Sequence, residues 1–460
     1  MRKSLLDQLC LLPAGIAHAH AKELAEIGRV LDQLPQAAAL VHQALSLRGD
    51  RLVDPSKGRE GMAAEQVLRA AILKQQTGLS YERLAFVLAD STTYRNFCRL
   101  GYQQTPPTRS ALQKNIKRIP VAVWEKINAL VVQKARDSHV ETGSKVRTDC
   151  LVVESNVHPP ADSLLLWDSV RVLCRLMKRA KHSFGFPFVN HRLRAKRRAL
   201  EISNAPSAQR RKPLYRDLLA ITEHTREQAQ LIARQLRALE DETDDRRDAS
   251  QLAARIEHLL PLVSQVLSQT ERRVLRDESV PAAEKIVSLF EPHSSIIVQD
   301  NRKDNRDTKY GHKVCITTGS SKLVTSVLIL QGNPADYTLA VEMMAQHQAT
   351  FGAPPRQASF DGGFAGRSNL DRIKALGVTD VVFHKRRGLQ VDEMASSPRV
   401  YKTLRAFRAG IEGTISFLKR VFGLERCAWR GFESFKSYVQ ASILACNLLV
   451  VARSLLADRS

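Results

Sequence analysis

Arg405, Arg408, Glu412, Ser416 and Lys419 recur through residues 401–420 at spacings that put them on one helical face. At about 100° per residue they project within about 60° of one another. Leu404, Phe407, Ile411, Ile415, Leu418 and Phe422 form an apolar stripe beside them. Such a helix docks on a core by one face and offers, at its border, a carboxylate ringed by cations. Taken alone, Arg408 and Glu412 make an ordinary i,i+4 ion pair worth about 0.3 to 0.5 kcal/mol. Two further carboxylates stand out upstream. Asp149 lies within KVRTDCLVVES, residues 145–155, whose Val and Leu on both faces predict a central strand. A buried carboxylate there must meet a cation, a metal or a hydrogen-bond donor, and a structural salt bridge would serve. Asp361 follows a short apolar run in RQASFDGGFAG. That places it at the carboxyl end of a strand, where ligands of α/β sheets gather, although capping of an Asx turn accounts for it equally.

The spacing Arg408-x3-Glu412-x6-Lys419 resembles the Y-x2-R-x3-E-x6-K signature of DDE transposases from bacterial insertion sequences, with Arg405 where the signature has Tyr. The string around Asp361 is similar to the family's second-Asp motif, and GMAAEQVLRAAILKQQTGLSYERLAFVLADS to its N-terminal helical domain. Within the group the chain looks most like transposases filed under the ISNCY label. The resemblance implies a ribonuclease H-like core in which Asp149, Asp361 and Glu412 are the catalytic, metal-binding acids for two Mg²⁺ ions, with Mn²⁺ as a substitute. It also implies that Arg408 and Lys419 lie near the cleaved phosphate, with Arg405 in place of a phosphate-contacting hydroxyl. Phosphodiester cleavage and strand transfer are in-line displacements, which paired divalent ions on hard oxygen ligands suit. Lys385, Arg386 and Arg387, after the last strand, are further candidates for the DNA backbone. A structure-specific nuclease on the same fold would share the three acids, and a non-catalytic DNA-binding descendant is a third reading.

The bulk numbers agree with a polyanionic partner. Seventy Lys and Arg against 47 Asp and Glu leave +23, which favours nucleic acid, with an anionic membrane surface second. Seven scattered Cys, an odd total without a CxxC pair, argue against a zinc cluster or disulfide framework and fit a reducing cytosol; the resemblance implies a bacterial cytoplasm, near the nucleoid. The first twenty residues, interrupted by Asp7, read as a helix and not as a signal. The apolar run 443–452 is broken by Asn447 and too short to span a bilayer.

The expected fold class is α/β: a ribonuclease H-like mixed sheet flanked by helices, with a helical N-terminal domain and a helical insertion. Residues 1–144 read as the helical DNA-binding domain, with segments near 63–76, 80–90, 91–100, 110–118 and 121–136. The helix bearing Arg109, Gln113, Lys114, Lys117 and Arg118 suits a recognition helix in a groove; a solvated basic face fits as well. Residues 145–163 and 291–460 form the catalytic domain, with strands at 294–300, 312–319 and 322–331, a hairpin at Gly319-Ser320-Ser321, and helices at 335–349 and 366–376. Between them, 164–290 is helical and basic, with a kink expected at Pro261. From Arg171 to Lys212 there are thirteen Lys or Arg against Glu201 alone; Arg194, Lys196, Arg197 and Arg198 are its densest run, fitted to backbone phosphates. His158 among acids suggests a metal only weakly, and Trp429 is a packing aromatic before it is a base-stacking one. The partners expected are double-stranded DNA, as element ends and target, and a second copy in the active complex, with no membrane.

Overall fold

The computed structural model describes residues 17–48, 51–52, 61–101, 103–239, 244–298 and 308–459. Most of the helix expected over the first twenty residues lies outside them. The chain divides into two compact units, one of residues 1–154 and 312–460 and one of 155–311.

The first unit opens with helices α1 (Ala19–Asp32) and α2 (Pro35–Ser46), then a short ladder of β1 (Leu47–Arg48) and β2 (Arg51–Leu52). Five helices follow: α3 (Ala64–Thr77), α4 (Tyr81–Asp90), α5 (Thr92–Phe97), α6 (Arg109–Ile116) and α7 (Val121–Asp137). Their starts obey local chemistry: the Ser80 hydroxyl accepts from the Arg83 amide and the Thr108 hydroxyl from that of Ala111. Gly78, at φ 65°, closes α3 in the left-handed conformation that a side chain would strain.

The second unit is built on α8 (Asp162–Phe184), α9 (Arg192–Asn204), α10 (Ala208–Arg237) and α11 (Asp244–Thr270). Leu166, Leu173, Met177, Leu218, Ile256 and Val263 give it a hydrophobic core of its own. α11 continues as one helix through Pro261. Asp162, in the first turn of α8, is held by Arg273 at 2.9 Å. Strand β4 (Ser295–Val298) pairs antiparallel with the start of β5 (Thr308–Thr318).

The sheet of the first unit runs β6 (Val324–Ile329), β5, β3 (Lys145–Ser155), β7 (Gln357–Phe360), β8 (Asp380–Phe383). β6 is antiparallel to β5 across the expected hairpin, and β7 and β8 are parallel to β3 in succession. The bonds Arg147 to Thr318 and Thr148 to Thr317 run in opposite senses along β3 and β5, as antiparallel neighbours do. Period-two alternation sends Val146, Ala358, Phe360, Val381 and Phe383 to one face, against α12 (Ala340–Phe351) and α13 (Arg367–Ala375). The other face carries Arg147, Asp149, Ser359 and Val382 and receives α15 (Pro398–Phe422), which follows the single turn α14 (Val391–Met394). On α15 the buried residues are Leu404, Ile411, Thr414, Leu418 and Phe422. Phe407 and Ile415, expected in the apolar stripe, are half-buried at its margin.

After β9 (Arg426–Cys427), the terminal helix α16 (Phe432–Ala457) is apolar enough by length and composition to cross a membrane, yet 72% of that window is buried. It packs on α1, α3 and α7 and joins the N-terminal helices and the sheet in one hydrophobic core. Within it Asn447 accepts from the Val324 amide and donates to the carbonyl of Val324 and the amide oxygen of Asn128, each at 2.8 Å. The side chain that interrupts the apolar run thus clamps β6 to α7. Asn447→Ala is expected to leave those partners unsatisfied and cost about 2 to 3 kcal/mol. A lowered urea midpoint in a single transition of the whole first unit is the result that checks it.

Candidate active site

The acids reach one place because of register. Thr148 pairs with Phe360 and Phe360 with Phe383 across the parallel strands. The next residues in line are Asp149, Asp361 and His384. Alternation turns the Asp side chains to the α15 face.

Arg408 meets them there. Its Nη2 lies 2.8 Å from Asp149 Oδ2 and 3.2 Å from Asp361 Oδ1, and its Nη1 lies 2.9 Å from Glu412 Oε1. All three carboxylates therefore converge on one guanidinium. The expected i,i+4 pair is present, but Arg408 is only 11% exposed, and its larger role is across the helix-to-sheet junction. Burial pushes Asp149 up to about 6, against the opposing pull of Arg408 and of the Cys150 amide that bonds it; the charges of Asp361 and Asp336 add to the rise. Asp336 was not legible as part of this neighbourhood in the sequence. It is held by Lys313 at 3.0 Å, on a loop a strand and a hairpin away from Asp149.

The glycines after Asp361 keep the floor open. A Cβ on Gly362 would lie 2.8 to 3.0 Å from the stem of Lys385, and one on Gly363 would lie 2.8 Å from Asp336 Oδ2. Lys385 thus packs directly beside the second Asp, while Arg386 and Arg387 are exposed on the same turn. Arg387 has φ 48°, a left-handed conformation uncommon outside glycine.

Other candidates fall elsewhere. Arg405 is exposed on α15. Lys419 pairs with Glu425 at 3.5 Å and none of the three acids is its ion-pair partner. Just past α6, Arg118 is committed to the carbonyls of Leu45 and Leu47 and Lys117 stands over the Trp429 ring; on α6 itself Arg109, beside Glu82 at 3.9 Å, and Lys114 are exposed and Gln113 is half-buried. Trp429 itself is buried at 4% and packs on Tyr438. His158 is exposed. In the second unit, acids neutralise part of the basic block: Asp217 binds both Arg194 and Arg198 at 2.6 Å, the neighbouring Glu201 and Asp168 pair with Arg198 and Arg171 one turn away, and the more distant Asp248 and Asp277 pair with Arg179 and Lys212. Lys196 and Arg197 remain exposed on α9.

Among the described residues, no three His, Cys, Asp or Glu side chains stand together closely enough to hold an ion. The donor chemistry, three hard carboxylates gathered on one positive centre, is of the kind a divalent cation takes. Arg408 supplies that positive centre here.

Residues 290–448 match the Transposase DDE domain family and residues 17–118 match the Transposase domain (DUF772) family. No curated protein and no solved structure matches the chain. Both matched segments are transposase domains, one over the N-terminal helices and one over strands β4 to β8 with α15, so the class is that of DNA-rearranging enzymes. The chain thus carries two transposase domains of the kind typical of bacterial insertion sequence transposases. Asp361 and Glu412 fall inside the DDE match and Asp149 outside it, so geometry alone ties Asp149 to them.

Two outcomes follow. For Asp149 the folded state binds the proton more tightly than the unfolded chain, so its contribution is favourable at low pH and is lost as pH rises from about 4 through about 6. In metal-free buffer, the stability of the wild type relative to Asp149→Asn is expected to fall across that window by about 1 to 3 kcal/mol. Parallel melting curves for the two proteins against pH would contradict this. In the basic block, Lys196→Ala with Arg197→Ala is expected to flatten the slope of log K for DNA against log salt by about two units, as two free phosphate contacts should. Arg194→Ala with Arg198→Ala is expected to change the slope less and to lower the melting temperature, because those cations are engaged by Asp217.

Proposed function

We propose that this transposase cuts DNA at the ends of its own element and joins the freed ends to new DNA, with Asp149, Asp361 and Glu412 as its catalytic acids. The observation that carries the reading is the meeting of three acids, far apart in sequence, on Arg408 between the sheet and α15. Ordinary structural acids have no reason to meet. The sheet order β6, β5, β3, β7, β8, antiparallel and then parallel, supports assignment to the ribonuclease H-like class.

In this reading Asp149, Asp361 and Glu412 would hold Mg²⁺, or Mn²⁺ in its place, which when bound would supply Lewis-acid stabilisation of charge on the phosphate. Asp149 and Asp361 sit on adjacent strands of a rigid sheet, so their spacing is fixed before substrate arrives. Glu412, the most exposed of the three at 67%, closes the set from the helix side. Arg408, released from the acids, is placed to bind a phosphate oxygen, and Lys385, Arg386, Arg387 and Arg405 border the path of the backbone. Lys419 takes that role only after leaving Glu425. The N-terminal helices read the element ends through the outward side of α6, and Lys196 and Arg197 contribute affinity for the backbone irrespective of sequence. Two ends must be paired, so the active complex contains at least two copies.

Purified protein with Mg²⁺, a plasmid carrying this gene with its native flanks, and a supercoiled target tests the proposal by sequencing of the junctions. Joined products are expected, with Asp149→Asn abolishing both cutting and joining while DNA affinity stays within about twofold. Cutting without joining moves the assignment to a nuclease, for which the three acids alone would suffice.

A further inference from the structure

Two residues before each strand-borne Asp, a buried side chain reaches out of the sheet and bonds α15. Arg147 Nη1 donates to the Phe407 carbonyl at 2.8 Å, and Ser359 Oγ donates to the Leu404 carbonyl at 3.0 Å. Arg147 and Ser359 are themselves paired in the β3–β7 register. Both carbonyls lie inside the helix, where each can already accept the amide four residues on, so the sheet engages their second lone pairs. Neither bond is needed to build the helix.

Arg147 is further fixed. Its Nε donates to Thr318 Oγ1 at 3.1 Å, its guanidinium stacks 4.5 Å from the Phe407 ring centroid, and Lys145 Nζ stands 4.4 Å from the same centroid. The route to Phe407 crosses Gly410, where a Cβ would come within 2.1 Å of Arg147 Nη1. Gly410 is exposed, and alanine would favour the helix by about 1 kcal/mol, but unlike Gly413 on the same helix, where a Cβ would meet nothing, it has Arg147 in the way.

We propose that Arg147 and Ser359 are positioning residues that set the depth and rotation of α15 against the two Asp strands, with Gly410 as the clearance that lets Arg147 engage. The inference rests on the assignment of Asp149, Asp361 and Glu412 as the catalytic acids. A slip of one residue along α15 would carry Glu412 about 1.5 Å along the axis and turn it about 100° away. Two bonds, one from each Asp strand and one helical turn apart, prevent that slip. A single bond would leave the helix free to pivot.

The test measures single-turnover cleavage at saturating DNA on the plasmid carrying the gene and its flanks, together with DNA affinity and melting temperature. Ser359→Ala, Arg147→Met and Gly410→Ala are each expected to slow cleavage about tenfold or more while affinity stays within about twofold. Ser359→Thr, which keeps the hydroxyl, restores the rate. Gly410→Ala is the discriminating variant: it displaces only the end of the Arg147 side chain, so the melting temperature is expected to hold or rise while cleavage falls. Adding Arg147→Met to Gly410→Ala is expected to cost no more than either alone, because both remove the same bond. Cleavage by Ser359→Ala and Gly410→Ala within about twofold of wild type overturns the proposal. So does a loss of rate that merely follows loss of melting temperature and DNA affinity. Asp149→Asn run alongside separates the two claims: if it cleaves normally, the assignment of the acids fails, and if it is inactive while the positioning variants are unimpaired, only this inference fails.

Discussion

Asp149 within β3, Asp361 just past β7 and Glu412 on α15 resist desolvation as charges, and the Arg408 guanidinium that all three share is what lets them stay. At an effective dielectric of about 20, two unit charges about 4 Å apart interact by about 4 kcal/mol, so an uncompensated trio would drive the strands and helix apart or take up protons. Even with Arg408 present, burial still raises Asp149 to about 6. The cluster is an electrostatically strained arrangement, a buried carboxyl compensated by one shared guanidinium, and such groups gather at functional sites.

Everything around the cluster serves to hold it against that strain. β3 is buried on both faces and paired on both edges, α12 and α13 close one side of the sheet, and α15 is pinned on the other through Arg147 and Ser359. α16 ties the sheet to the N-terminal helices in one hydrophobic core, so the region matched to the second transposase domain is bound mechanically to the strands that carry the acids. The shared core explains an apolar helix that would otherwise read as a membrane segment: it is wrapped by helices and sheet, and Asn447 is tolerated because its amide is fully bonded.

The second unit follows another logic. Its bundle has its own core, and its surface cations divide into those engaged by acids and those left to solvent. Counting charge along the chain gave the block 171–212 an excess of twelve; Asp168 offsets part of it from one helical turn before, and folding brings Asp217, Asp248 and Asp277 to it. The free charge is correspondingly smaller and is carried by exposed cations of α8 and α9, Arg175, Lys178 and Lys181 on the one and Arg192, Lys196 and Arg197 on the other.

Much was legible in the residues alone. Periodicity placed α3 to α7, β3, the β5–β6 hairpin and α15 close to their observed limits, because a stripe at 3.6 or an alternation at 2 is fixed by backbone geometry whatever the surroundings. The spacing of Arg408, Glu412 and Lys419 singled out α15, and a lone Asp in an apolar strand singled out Asp149. What the spacing could not say is which partners those charges would choose. Lys419 lies on the expected column yet pairs with Glu425, and Arg408 joins acids from three elements, because such choices depend on strand register and on the depth of one helix over a sheet. Asp336, Arg147, Ser359 and Gly410 carried no signal in sequence for the same reason: each matters only through an atom on a segment tens or hundreds of residues away, and only the packed tertiary structure brings the two together.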